Sequence, residues 1–279
     1  MAKANVPHRQ VETEPRVRRG YFECRYGQFH VHNAIPPGGG FEEGTALLCV
    51  HSAMASGRFF QGLLPLAGRD RSVYAPDLPG FGESDSPPAR VGIPDYAAAL
   101  GDFLDTMRFR QIDLLGHQTG SLIAAELALA RPQQVRRLVL ASVPVLNDAE
   151  RDGIRRHPGL AATEDGAHLA TEWRRTLESY GPAVPLEVRA RAFAEKLRSG
   201  MQGAWMLAAA QQYESRQRLS RIVQPALVLR LKDEYWDATP RVRELLPKAR
   251  FAEVPASNAA VLETEPETIL ELVRDFLKG

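Results

Sequence analysis

The chain has 279 residues, 44% hydrophobic and 25% charged, enough for one large α/β domain or a core domain carrying a smaller insert. Its 35 basic residues against 34 acidic ones leave a net charge of +1, so no electrostatic surplus favours nucleic acid or an anionic membrane surface. Residues 1–20 are polar and charged, and no apolar run approaches the roughly 18 residues of a membrane span; a mobile leader and a cytoplasmic protein are expected.

After the leader, YFECRYGQFHVHNAI alternates apolar and polar residues around Gly27, the pattern of an antiparallel hairpin, and PPGGGFEEG follows as a loop. From Ala46 the pattern changes. ALLCVHS, SVYAPDL, IDLLGHQ and RRLVLASVPV read as buried strands, with helices predicted over DYAAALGDFLDTMR and GSLIAAELALARP. Such alternation implies a mostly parallel sheet flanked by helices, joined by right-handed crossovers. Residues 147–222 show no convincing strand; apolar residues at helical spacing, as in HLATEWRRTLESYG, predict an inserted helical segment. PALVLRL, TPRVRELLPKA, RFAEVPA and EPETILELVRDFLKG then resume the strand–helix pattern, so residues 21–146 and 223–279 form the core. The only cysteines, Cys24 and Cys49, sit in predicted strands and read as buried, reduced thiols.

Three segments stand together in order: VHSAMASGRFFQGLLPLA, YAPDLPGFGESDSP and GHQTG. On them the chain resembles the α/β-hydrolase superfamily, within the group whose helical cap follows the sixth strand: meta-cleavage-product hydrolases, haloalkane dehalogenases and epoxide hydrolases. The resemblance implies an α/β-hydrolase fold from Tyr21 onward and a catalytic site at the GHQTG elbow. There the family places its nucleophile, and this chain has Gln118, a neutral amide that a histidine cannot activate. The family's terminal histidine aligns with Ala259, or with Asn258 after a one-residue slip, and no histidine follows His168. The acid position falls on Glu234, with Asp233 as the one-residue alternative.

The resemblance further implies that His51, Ser52, Ala53 and Met54 form the oxyanion loop, with backbone N–H groups of Ala53 or Met54 and of Thr119 as its donors. His117 is either a packed imidazole beneath the site or a proton shuttle, and Gln118 either fills the nucleophile's space or clamps a ligand through its amide. Ser121 is expected to face away. In the inserted segment, Trp205 and His168 are the candidates for the pocket between cap and sheet, His168 being either an acid or base there or a solvated histidine. Scattered histidines, separate cysteines and the lack of a G-x-G-x-x-G or P-loop pattern predict neither a metal site nor a nucleotide cofactor. The expectation is a monomer or homodimer with a small-molecule ligand. It acts either as an enzyme that dispenses with a serine nucleophile (by non-covalent hydrolysis, lyase, cyclisation or isomerisation chemistry) or as a catalytically dead receptor of the same fold.

Overall fold

The computed structural model describes residues 14–39, 44–155, 160–255 and 258–278. Eight strands form one sheet: β1 (Arg18–Cys24), β2 (Gly27–Ala34), β3 (Ala46–Val50), β4 (Val73–Pro76), β5 (Ile112–His117), β6 (Val135–Ala141), β7 (Ala226–Leu231) and β8 (Arg250–Val254). Their order is β1-β2-β4-β3-β5-β6-β7-β8. The β1–β2 hairpin closes at Cys24 opposite Gly27, and β2 runs antiparallel to β4; the remaining neighbours are parallel. β1 starts at Arg18, three residues inside the expected leader, because the backbone of Arg18 already pairs with Asn33.

Outside the segment between β6 and β7, the helices are α1 (Leu63–Ala67), α2 (Ile93–Thr106), α3 (Thr119–Ala130), α8 (Val242–Leu245), α9 (Val261–Thr264) and α10 (Pro266–Lys278). Between β6 and β7 lie α4 (Asp148–Arg155), α5 (Ala167–Tyr180), α6 (Leu186–Gln212) and α7 (Ser215–Leu219), with no strand among the described residues. No helix there or elsewhere in the described chain is long and apolar enough to cross a membrane.

The strands read as unbroken apolar runs because both faces of the sheet are covered. Along β3, Leu48 and Val50 join the core beneath α2 and α3, while Leu47 and Cys49 join the opposite core beneath α1 and α10. Cys49 is a buried free thiol, and burial pushes its pKa far up; Cys24, also free, is half-buried in β1. Helix α3 is buried on nearly every side, which explains why its sequence is apolar all round rather than along one stripe. Its position brings the end of β5 to the centre of the sheet's carboxyl edge, where ligands of parallel α/β sheets bind.

Candidate active site

The chain turns from β5 into α3 at Gln118, whose φ of 51° and ψ of −119° are unusual for a residue with a Cβ. Three hydrogen bonds hold it there. The Gln118 N–H donates to Ala141 O at the end of β6 (2.8 Å), and its carbonyl accepts from Ser121 N (2.9 Å) and from Ser121 Oγ. Ser121 is thereby buried on the far side of the turn, facing away from the pocket. Gly120 lets the helix start close to β3, since a Cβ there would lie 2.2 Å from Val50 O. The strained turn is therefore built by packing around it, and it presents the Gln118 side chain to a cavity of about 340 Å³.

The loop after β3 forms one wall. His51 is wholly buried, and its Nε2 accepts from Leu78 N–H (2.9 Å) while Nδ1 donates to Ser52 O (2.7 Å). A backbone N–H can only donate, so these two bonds fix the neutral Nδ1–H tautomer. Burial lowers the His51 pKa to about 4. His51 braces the loop and holds no mobile proton at neutral pH. Ser52, Ala53 and Met54 line the cavity, Met54 with a positive φ of 61°.

The Ala53 N–H, expected to stabilise an oxyanion, donates to Thr119 Oγ1 at 2.7 Å. The same hydroxyl is directed at Met206 Sδ of α6, 3.8 Å away. A donor that the resemblance assigns to substrate is thus occupied by a side chain.

The carboxylate that reaches the elbow is Asp233, so the one-residue alternative holds the position that the family pattern gave to Glu234. The physical reason is the turn after β7: Asp233 Oδ1 accepts the Tyr235 N–H (2.9 Å), which points the side chain back under the sheet edge. Its Oδ2 then accepts from Gln118 Nε2 (3.1 Å) and lies 3.5 Å from His117 Nε2. Burial alone would raise the Asp233 carboxyl. The His117 imidazole and the Tyr235 N–H outweigh burial and hold it below the ordinary range. His117 stacks on Phe59 (centroids 4.8 Å apart, planes 23° apart), and its buried Nδ1 has no hydrogen-bond partner.

Glu234 turns the other way, into the cavity. Glu234 as a whole residue is exposed; desolvation of its carboxyl, with the Asp233 charge adding to it and Lys196 opposing it, pushes that carboxyl up to about 7. Ala259 also lines the cavity, whereas Asn258 is spent on a turn, its Oδ1 accepting from Ala260 N (2.8 Å).

The remaining wall comes from α5 and α6, where a pocket-lining face was expected, but the sequence reading missed its polar members Glu172, Arg175 and Lys196. Lys196 Nζ donates to Glu172 Oε1 (3.0 Å) and Thr176 Oγ1 (3.2 Å); Arg175 and Tyr180 stand beside them. The signal was present: Glu172, Thr176 and Tyr180 recur at four-residue spacing on α5, putting polar groups where an apolar stripe is expected. Trp205 does not join them. It faces a separate cavity with Glu126, Tyr213 and Arg218, where the Arg90 guanidinium lies 5.3 Å from its ring centroid. His168 sits near the surface, its Nδ1 accepting from Thr163 N (3.1 Å) at the start of α5. Neither is brought to the elbow, because each is held by its own local partners.

A family model for the alpha/beta hydrolase fold matches residues 45–266. The chain belongs to the α/β-hydrolase fold family. This hydrolase-fold chain is 32% identical over 99 residues to an uncharacterized protein of Mycobacterium bovis, a match that covers 36% of the chain and only 29% of that relative. It is 27% identical over 260 residues to a pimeloyl-[acyl-carrier protein] methyl ester esterase of Aeromonas salmonicida, covering 85% of the chain and 97% of the relative. Among solved structures, a hydrolase from Pseudomonas aeruginosa superposes with a TM-score of 0.72 at 22% identity, over 94% of this chain and 98% of the other. That likeness is one of fold.

Proposed function

We propose that this α/β-hydrolase-fold protein is an enzyme that moves a proton on a small, largely apolar metabolite bearing a carbonyl or anionic end, without a serine nucleophile. The observation that carries this reading is that Glu234 and Gln118 line one cavity, the carboxyl brought near neutrality and the amide anchored by Asp233. A carboxyl with a pKa near 7 serves as general base or acid at physiological pH. Anchored through Nε2, Gln118 offers its carbonyl oxygen and remaining N–H to orient substrate. Phe59, Met54 and Leu207 supply apolar wall, and Lys196 with Arg175 supplies cationic groups for a polar end. Reaction classes that fit are lyase, isomerisation and cyclisation chemistry, or direct attack of a water activated by Glu234. The last would keep the hydrolytic outcome that the esterase relative's name describes. The proposed chemistry draws on these side chains and on no bound cofactor.

The test is a metabolite panel followed by kinetics on the substrate found. Glu234→Gln is expected to lower kcat by at least a hundredfold, and Gln118→Ala to raise KM with a smaller change in kcat. Fluorophosphonate probes are expected to add no mass to the intact protein. If metabolites bind tightly and none is consumed, the protein is a receptor of the same fold.

A further inference from the structure

β2 carries His30 and His32 two residues apart, on one face of the strand. Asp77 follows β4, and its N–H donates to His30 O (2.9 Å), so strand pairing places the carboxylate against both rings. His30 Nδ1 lies 2.8 Å from Asp77 Oδ2, and His32 Nε2 lies 3.7 Å from Asp77 Oδ1. One ligand atom from each residue falls within 4.8 Å of the others, and all three side chains are buried. None of the three lines the cavity at the elbow.

Two observations point beyond a hydrogen-bonded cluster. His32 has no exposed surface, yet neither of its ring nitrogens has a hydrogen-bond partner. Folded proteins rarely leave such a group unsatisfied. Asp77, in contrast, is held firmly: its Oδ1 accepts from Gly57 N (2.7 Å) and its Oδ2 from Glu83 N (2.9 Å). An oriented carboxylate beside a partnerless imidazole is an arrangement that an ion completes.

We propose that His30, His32 and Asp77 bind a first-row divalent metal ion of the zinc type, which ties β2 to the loop beneath the elbow. His30 Nδ1 and His32 Nε2 lie 2.8 and 3.7 Å from separate Asp77 oxygens, and one donor from each residue falls within 4.8 Å of the others, so the side chains would close by about 1 Å to reach the roughly 3.4 Å between donors on one tetrahedral ion with bonds near 2.0–2.1 Å. Two imidazoles and one carboxylate suit zinc and its neighbours and disfavour calcium or magnesium, which take oxygen ligands. Both ring nitrogens of His32 are without partners in the fold and so are available to a metal. Ligation through His30 Nδ1 would replace its contact with Asp77 Oδ2, the ring proton standing on Nε2, and would leave a fourth position for water. Arg58 and Arg19 add positive potential at His32, which sets the affinity below that of a site with more acidic ligands. Entry is short. Tyr21 of β1 pairs with His30, its ring centroid 5.0 Å from the imidazole, and it is 54% exposed.

The sequence reading found no metal site because it sought ligands close together in the chain or in longer helical spacings. Here a His-x-His pair on one strand meets an aspartate 45 residues beyond His32, through sheet pairing alone.

The experiment is titration of the chelator-treated full chain with Zn²⁺, read by calorimetry and by thermal melting. One equivalent is expected to bind, raising Tm, with affinity reduced at least tenfold in His30→Gln and in His32→Gln and unchanged in His168→Ala. Because a core histidine variant can fail to fold, zinc-edge X-ray absorption of the wild-type complex provides a second reading, expected to show two imidazole shells. Absence of saturable binding, binding unaffected in folded His32→Gln, or a spectrum with fewer than two imidazoles would overturn the proposal and leave the cluster as a buried-water site.

Discussion

Thr119 Oγ1 lies in hydrogen-bond contact with the Ala53 N–H, and this one bond decides how far the elbow stands from ester chemistry. Restoring nucleophile and base by Gln118→Ser with Ala259→His would still leave that donor occupied. Oxyanion donors are worth on the order of 10²–10³ in rate. The double variant is therefore expected to hydrolyse p-nitrophenyl acetate barely above background, and adding Thr119→Ala to raise the rate at least tenfold; equal rates in the two would show that Thr119 yields to the substrate unaided. Glu234 makes a second prediction. Its pKa is raised in the folded chain, so between about 4.5 and about 7 the unfolded chain loses the proton first and stability falls as pH rises. Glu234→Gln removes that slope. Its Tm relative to wild type is expected to climb from pH 4.5 to pH 7.5 and then level, and kcat/KM of wild type to titrate near 7. At this scale the motifs located the elbow and the oxyanion loop, since glycines and a neighbouring histidine mark them. The choice between Asp233 and Glu234 was not legible, because a backbone turn, and not a residue type, sets which carboxylate points under the sheet.

Among the elements, α5 and α6 carry the least legible part of the site. Their helical periodicity was readable, but which polar face would meet the sheet depended on packing that no local pattern encodes. At Gly200, α6 departs to φ 49° and ψ −128°, a conformation open mainly to glycine, a bend that helical spacing alone does not mark. The pair between the two helices is buried unequally, with Lys196 16% and Glu172 2% exposed. Removing one member of a buried pair strands the other charge. Lys196→Met leaves Glu172 only the half-exposed Arg175, 3.8 Å away, and is expected to destabilise the protein by about 3 kcal/mol in urea titration, close to the cost of a broken buried ion pair. Pairing it with Glu172→Leu is expected to recover most of the loss, because the second change removes the stranded carboxylate; a double variant as unstable as the sum of the singles would show that the helices are held together by other contacts.

At the scale of the molecule, the mostly parallel sheet flanked by helices followed from alternating strand and helix, because such alternation packs as parallel strands joined by right-handed crossovers. What the alternation could not reveal is how the chain's last helix is fastened to the sheet. Asp113 of β5 is wholly buried, yet it accepts from Arg136 of β6 through both oxygens (2.9 and 2.6 Å) and from Arg71 (3.2 Å). The same Arg136 guanidinium donates to Leu277 O of α10 (3.1 Å), and Arg137 donates to Phe276 O (2.9 Å). One carboxylate thus orients a guanidinium that bridges two central strands and the carboxyl end of a helix, where donors satisfy carbonyls left without intrahelical partners. Asp113→Asn keeps the shape but removes the charge, and Arg136 is then free to swing toward solvent, since it is 30% exposed. The loss is expected to be about 3 kcal/mol. For a chain of this size that corresponds to a fall in Tm of roughly 6–12 °C. Because the network joins the sheet to α10, the transition is expected to remain single, with far-ultraviolet circular dichroism and tryptophan fluorescence falling together. A separate early transition, or a shift under about 2 °C, would show that α10 is secured by its apolar face, through Ile269, Leu270 and Val273, and that the buried carboxylate contributes little.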